Sequence, residues 1–127
     1  MIKEEFNINK TSLSMLGLTF KENCPDLRNS KVIEMLEILN GFIPNIKVYD
    51  PLVDYKIAQK DFNIQLTSWD KLEPADILVA AVSHKKFIEM GINTLLKKLK
   101  PGGIFVDIKS AYPSKNIVAA GFKIWRL

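Results

Sequence analysis

Apolar positions divide the 127-residue chain into short runs of two kinds. Ser12 to Leu18, Ile46 to Tyr49, Ile64 to Leu66, Asp76 to Val82, Ile104 to Ile108 and Phe122 to Trp125 are compact apolar segments, bounded mainly by polar residues, glycine or proline. Each predicts a strand. Asp76-Ile-Leu-Val-Ala-Ala-Val82 is the clearest, because its apolar residues do not alternate with polar ones, as required where both faces of a parallel sheet are covered. Val32, Met35, Leu36 and Leu39 instead recur at helical spacing within Ser30 to Phe42. Ser30 or Asn29 is placed to cap that helix, and Asn40-Gly41 to close it. Weaker helical patterns run over Tyr55 to Lys60, Asn93 to Leu99 and Ser114 to Ala120, the second stopping at Lys100-Pro-Gly-Gly103 and the last at Gly121. Residues 1–11 carry little pattern and read as a linker, or as a helix end from a region upstream.

Strands alternating with helices predict an α/β fold: a three-layer, Rossmann-like sandwich around a mostly parallel six-stranded sheet in the order 3-2-1-4-5-6. Residues 12–127 then form one domain, which the length suits. Composition adds exclusions. The net charge is +4, but the cations do not form a block, and no basic helix or stacking motif accompanies them. This argues against nucleic acid and for a small anionic ligand. Cys24 and His84 are the one cysteine and the one histidine, so no intrachain disulfide is possible and a zinc site lacks donors. No apolar run approaches the ~20 residues that span a bilayer. No membrane role is therefore expected, and with no apolar signal core at the start a cytoplasmic location is.

In such a sheet the chemistry lies beyond the carboxyl ends of the strands. The first strand is followed by Thr19-Phe-Lys-Glu-Asn-Cys-Pro-Asp-Leu-Arg28, the Asp76–Val82 strand by Ser83 and His84, and the Ile104–Ile108 strand by Lys109 and Ser110. Three cations, several hydroxyl and amide groups and a helix start gathered at one edge resemble a phosphate or diphosphate site. Each residue has a plainer reading. Lys21 and Lys109 are also ordinary surface lysines, and Arg28 can pair with Asp26 or Glu22. His84 suits a cap or a core edge better than a catalyst. Asp50 can meet a ribose hydroxyl, but Asp50-Pro51 is more simply a turn. Cys24 has no histidine near it in sequence to activate it as a nucleophile. The fingerprint Gly-x-Gly-x-x-Gly is absent: Gly17 is followed by bulky Leu18, Thr19 and Phe20, which argues against a dinucleotide pyrophosphate on this turn.

The segment Gly17-Leu-Thr-Phe-Lys-Glu-Asn-Cys-Pro-Asp-Leu-Arg-Asn-Ser-Lys-Val32 resembles the signature of the C-terminal, UDP-binding domain of the UDP-glucose/GDP-mannose dehydrogenase family. It is most similar to the branch that oxidises UDP-N-acetylhexosamines for bacterial polysaccharides. Val48-Tyr-Asp-Pro51, Ala81-Val-Ser-His84 with Phe87, Lys100 to Lys109 and Gly121 to Leu127 extend the resemblance in order over residues 12–127. The resemblance implies a larger enzyme, a homodimer or higher oligomer, in which an N-terminal Rossmann domain binds NAD. It implies oxidation of a sugar C6 alcohol to a carboxylate through thiohemiacetal and thioester intermediates on a cysteine upstream of this domain. Phe20 and Lys21 match positions that contact the UDP-sugar, and Arg28 matches an arginine on the NAD side of the cleft. Lys109 stands where glucose-oxidising members carry an arginine that approaches UDP, and a lysine lacks that fork. Cys24 does not match the catalytic cysteine. The chain is thus expected to be one part of such an enzyme, inactive alone and with no catalytic residue of its own. The alternative is a free-standing, non-enzymatic nucleotide-binding module.

Overall fold

A computed structural model describes residues 10–126 of the chain. The expected linker therefore lies mostly outside the described residues. Five strands form one sheet: β1 (Ser12–Leu16), β2 (Asn45–Tyr49), β3 (Ala75–Ala80), β4 (Leu99–Asp107) and β5 (Lys123–Arg126). The helices between them are α1 (Lys31–Asn40), α2 (Tyr55–Phe62), α3 (Lys85–Met90), α4 (Ile92–Leu96) and α5 (Ser114–Ala119). The strand order is β2-β1-β3-β4-β5, and every pairing is parallel.

This is the expected α/β architecture with one correction. Six strands were expected, and Ile64 to Leu66 is not the outermost of them. Thr67 gives one backbone hydrogen bond to Val48 O of β2, at 2.8 Å, but no ladder follows. Ile64 and Leu66 instead turn into the core beside α1 and α2. A three-residue apolar segment gains more from that burial than from a short edge pairing. The order is otherwise the expected one without its outer member, and the reversal of strand order still falls beside β1.

Alternating side chains of the central strands feed two cores. Leu13, Met15, Val48 and Val79 pack with Val32 and Leu36 of α1 and Ala58 of α2. Leu16, Leu78, Ala80 and Phe105 pack with Phe87 of α3, Leu95 and Leu96 of α4 and Ile117 of α5. β1 and β3 thus bury both faces, which is why β3 lacks a polar period and β1 sets only small serines, Ser12 and Ser14, between its apolar residues.

Two further differences lie next to β4. Lys100-Pro-Gly-Gly103 does not end a helix but bulges within the strand: Ala75 pairs with Leu99 and Ile77 with Ile104, so two steps along β3 face five along β4. Gly103 sits where a Cβ would lie 2.8 Å from Asp76 O, so the bulge needs a residue without a side chain there. The helix expected to reach Leu99 stops at Leu96, because Leu99 is already paired. The six-residue α3 was not expected at all.

Candidate functional site

Strand order reverses between β1 and β3, and in open α/β sheets the crevice outside the carboxyl ends at such a point takes the ligand. Here the two departing chains touch. Gly17 has φ +96°, and a Cβ on it would lie 2.7 Å from Val82 Cβ and 2.9 Å from Val82 N. Gly17 N donates to Tyr49 O (2.9 Å), and Ala81 N donates to Leu16 O (3.0 Å). Glycine is required here both for its backbone conformation and for the close approach.

Beneath this crossing lies a buried polar network. Thr19, Asp50 and His84 are each fully buried. Asp50 Oδ2 accepts from Leu18 N (2.7 Å) and Oδ1 from Leu52 N (2.9 Å), so the carboxylate ties β1 to the turn after β2. His84 Nε2 lies 2.9 Å from Asp50 Oδ2 and 3.3 Å from Thr19 Oγ1. His84 Nδ1 accepts from Asn23 N at 2.9 Å. An accepting Nδ1 bears no proton, so the ring is neutral with its proton on Nε2, donated toward Asp50. Asp50 therefore serves the turn. His84 precedes α3 without capping it through its side chain.

The loop from Leu18 to Ser30 is built on this base. Phe20 N donates to Asp26 O (2.9 Å), closing residues 20–26 into a compact turn. Asn23 and Asn29 adopt left-handed backbone conformations at φ 61°, which asparagine tolerates better than most residues. Leu27 is buried beneath, and Ser30 Oγ donates to Leu18 O (2.6 Å) while accepting from Ile33 N to cap α1. Both ends are thereby fixed, while Phe20, 52% exposed, and the neighbouring Lys21 project to solvent. Arg28 is exposed and forks onto Asp26 through Nε (3.1 Å) and Nη2 (3.3 Å). That pairing holds the Asp26 carboxyl below its ordinary range and the Arg28 guanidinium above its own.

Lys109 comes from the loop after β4, on the same sheet edge and equally exposed. Buried Asp107 shapes that loop by accepting from Ala111 N and Tyr112 N, both at 3.0 Å. Arg126 at the end of β5 approaches Asp107 Oδ2 with its Nε (3.7 Å) and donates to Tyr112 O. The structure thus sets Phe20, Lys21 and Arg28 on one loop, with Lys109 on the lip two strands away. Asp107 and Arg126 were missed, because their partnership links strand ends that no local spacing relates. Ser83 Oγ, just past β3, is shielded from solvent and has no hydrogen-bond partner among the described residues. Two clefts on the described surface lie elsewhere, between α1 and the end of α2 and among lysines at the amino ends of the strands.

Residues 14–114 match the model of the UDP-glucose/GDP-mannose dehydrogenase family, UDP binding domain. The chain belongs to this family. Over 127 residues the UDP-binding domain is 35% identical to Protein CapL of Staphylococcus aureus, covering all of this chain and 30% of that protein. It is 32% identical to the UDP-N-acetyl-D-glucosamine 6-dehydrogenase of Salmonella typhi, over 91% of this chain and 27% of that one. A solved UDP-D-ManNAc dehydrogenase from Pyrococcus horikoshii shares the fold, with a TM-score of 0.70 at 24% identity over 98% of this chain and 27% of that one. The domain spans less than a third of the curated relatives named here. Its first turn does not fit the pyrophosphate of NAD. The N–H groups of Gly17 and Leu18 are already spent on Tyr49 and Asp50, and Val82 fills the space above Gly17.

Proposed function

We propose that this domain supplies the UDP-sugar wall of an NAD-dependent nucleotide-sugar 6-dehydrogenase that oxidises the C6 alcohol to a carboxylate for surface polysaccharide synthesis in the cytoplasm. The observation that carries the reading is the loop from Leu18 to Ser30: a rigid, internally bonded base at the switch point that holds Phe20 and Lys21 out toward solvent. Lys21 meets a phosphate as a point charge, and Phe20 offers an apolar face to the ligand. Lys109 approaches the same ligand from the β4 lip. Arg28 faces the NAD side of the cleft, with Asp26 holding its fork in one orientation. NAD and the nucleophilic cysteine belong to the rest of the longer protein, which acts as a homodimer or higher oligomer. The isolated domain has no dehydrogenase activity.

The test is calorimetry of the chain with UDP and with UDP-N-acetylglucosamine. Weak, saturable binding is expected, because one wall alone encloses little of the ligand. No saturable binding up to millimolar ligand, in this chain or in the longer protein, overturns the proposal. Lys21→Ala should weaken UDP binding by about 1–3 kcal/mol if a charge-assisted hydrogen bond is lost, and an unchanged affinity removes Lys21 from the site.

A further inference from the structure

We infer that His84 is a positioning residue: its neutral ring sets the backbone of Lys21 to Asn23, and with it the place of the Lys21 ammonium. The functional side of this inference rests on the reading of the edge as a UDP-sugar site. Three bonds converge on the three-residue segment. Asn23 N donates to His84 Nδ1 at 2.9 Å. Thr19 Oγ1 donates to Lys21 O at 2.9 Å, and the same hydroxyl oxygen faces His84 Nε2 at 3.3 Å. Asn23 Oδ1 accepts from Lys85 N, next to the histidine, at 2.7 Å. The imidazole therefore holds the segment directly at its far end, while the Thr19 hydroxyl, set against the ring, holds its near end.

The chemistry of the position narrows the side chains that can do this. The group must accept from Asn23 N on one side and donate to the buried Asp50 carboxylate on the other. Lysine and arginine only donate, and a carboxylate only accepts; a neutral imidazole does both from one rigid plane. That plane is itself held, because the Phe87 ring lies nearly parallel to it at 5.8 Å and Tyr49 braces Phe87 edge-on at 5.9 Å. A histidine present only to start α3 would turn its ring to the helix N-terminus. His84 makes no such bond and is wholly buried. Asn23, whose N–H meets the ring, sits at φ 61°, so a left-handed residue and the histidine share this contact.

Two variants divide the functions of the ring. His84→Asn places an amide oxygen near the position of Nδ1 and keeps an acceptor for Asn23 N. His84→Gln reaches toward Asp50 and leaves Asn23 N without one. The first readout needs no ligand: amide exchange at Asn23 should be about tenfold faster in His84→Gln and close to wild type in His84→Asn, the loss expected for one hydrogen bond. The second is UDP affinity, which should fall about tenfold in His84→Gln, with the loss nearly vanishing in a Lys21→Ala background. If either variant fails to fold, the ring nitrogens of wild-type His84 decide by NMR: an unprotonated Nδ1 facing the Asn23 N–H is expected, and a proton on Nδ1 overturns the inference. Equal exchange in the Gln and Asn variants overturns the inference, as does a UDP loss that persists undiminished without Lys21. If wild-type chain binds no UDP, the functional reading falls, while the exchange pattern still decides whether His84 shapes the loop.

Discussion

Gly17 has little freedom to change. Its positive φ and the 2.7 Å approach to Val82 Cβ mean that Gly17→Ala must both strain the backbone and part the chains leaving β1 and β3. We expect a loss of roughly 3 kcal/mol, read by denaturant melting. Ser83 lies at the other extreme. Its hydroxyl is shielded and, among the described residues, unpartnered, so Ser83→Ala should raise the stability of the unliganded chain by about 1 kcal/mol in the same measurement. Residue types showed that Lys21, Arg28 and Lys109 follow strand ends, and the fold sets them on one edge. What they could not show is which polar groups work inward. Asp50 and His84 are 34 positions apart, and only the parallel stacking of β2, β1 and β3 makes them partners. A lone histidine after an apolar strand has the same local sequence whether its ring caps, coordinates or braces.

Among the elements, α1 leans on a single side chain. Ser30 both caps the helix and bonds Leu18 O across the loop, one hydroxyl serving as donor and acceptor. Ser30→Ala should cost about 2 kcal/mol and loosen residues 20–29 before it loosens the sheet, a sequence visible in residue-resolved hydrogen exchange. The helical stripe from Val32 to Leu39 and the apolar run at Asp76 to Val82 were legible because burial imposes a period, or the lack of one, on the residues themselves. Ile64 to Leu66 was misread because a short apolar run has the same appearance whether it joins a ladder or only covers a core. α3 escaped notice because six residues give fewer than two turns of period, and its start lacks a side-chain cap.

At the scale of the whole molecule, the sheet edges are tied together by groups from distant strands, and Tyr112 reports on the far tie. Its hydroxyl is pushed up to about 12, first by burial and then by the Asp107 charge. The folded state thus favours the protonated phenol. Its contribution to stability is intact below the ordinary tyrosine value near 10 and is lost as pH rises through about 12. Burial raises Tyr49 as well, so phenolate absorbance should show late titration of which Tyr112→Phe removes a part, and the same variant should remove part of the alkaline destabilisation in that window. Either result absent would place Tyr112 in a wetter setting.

The pairing of β1 also sets an order in time. Its flanking partners are β2 and β3, and Ser12 bonds Asp76, 64 positions away. A chain emerging amino end first makes this interior strand early and seats it late. Until residue 80 or so has left the ribosome, β1 has one neighbour and an open edge, and neither core can close. Nascent chains ending before Ala75 should melt without cooperativity, and those that include β4 should acquire it. The strand that carries the Leu18–Ser30 loop is thus the one whose fate a growing chain leaves undecided longest.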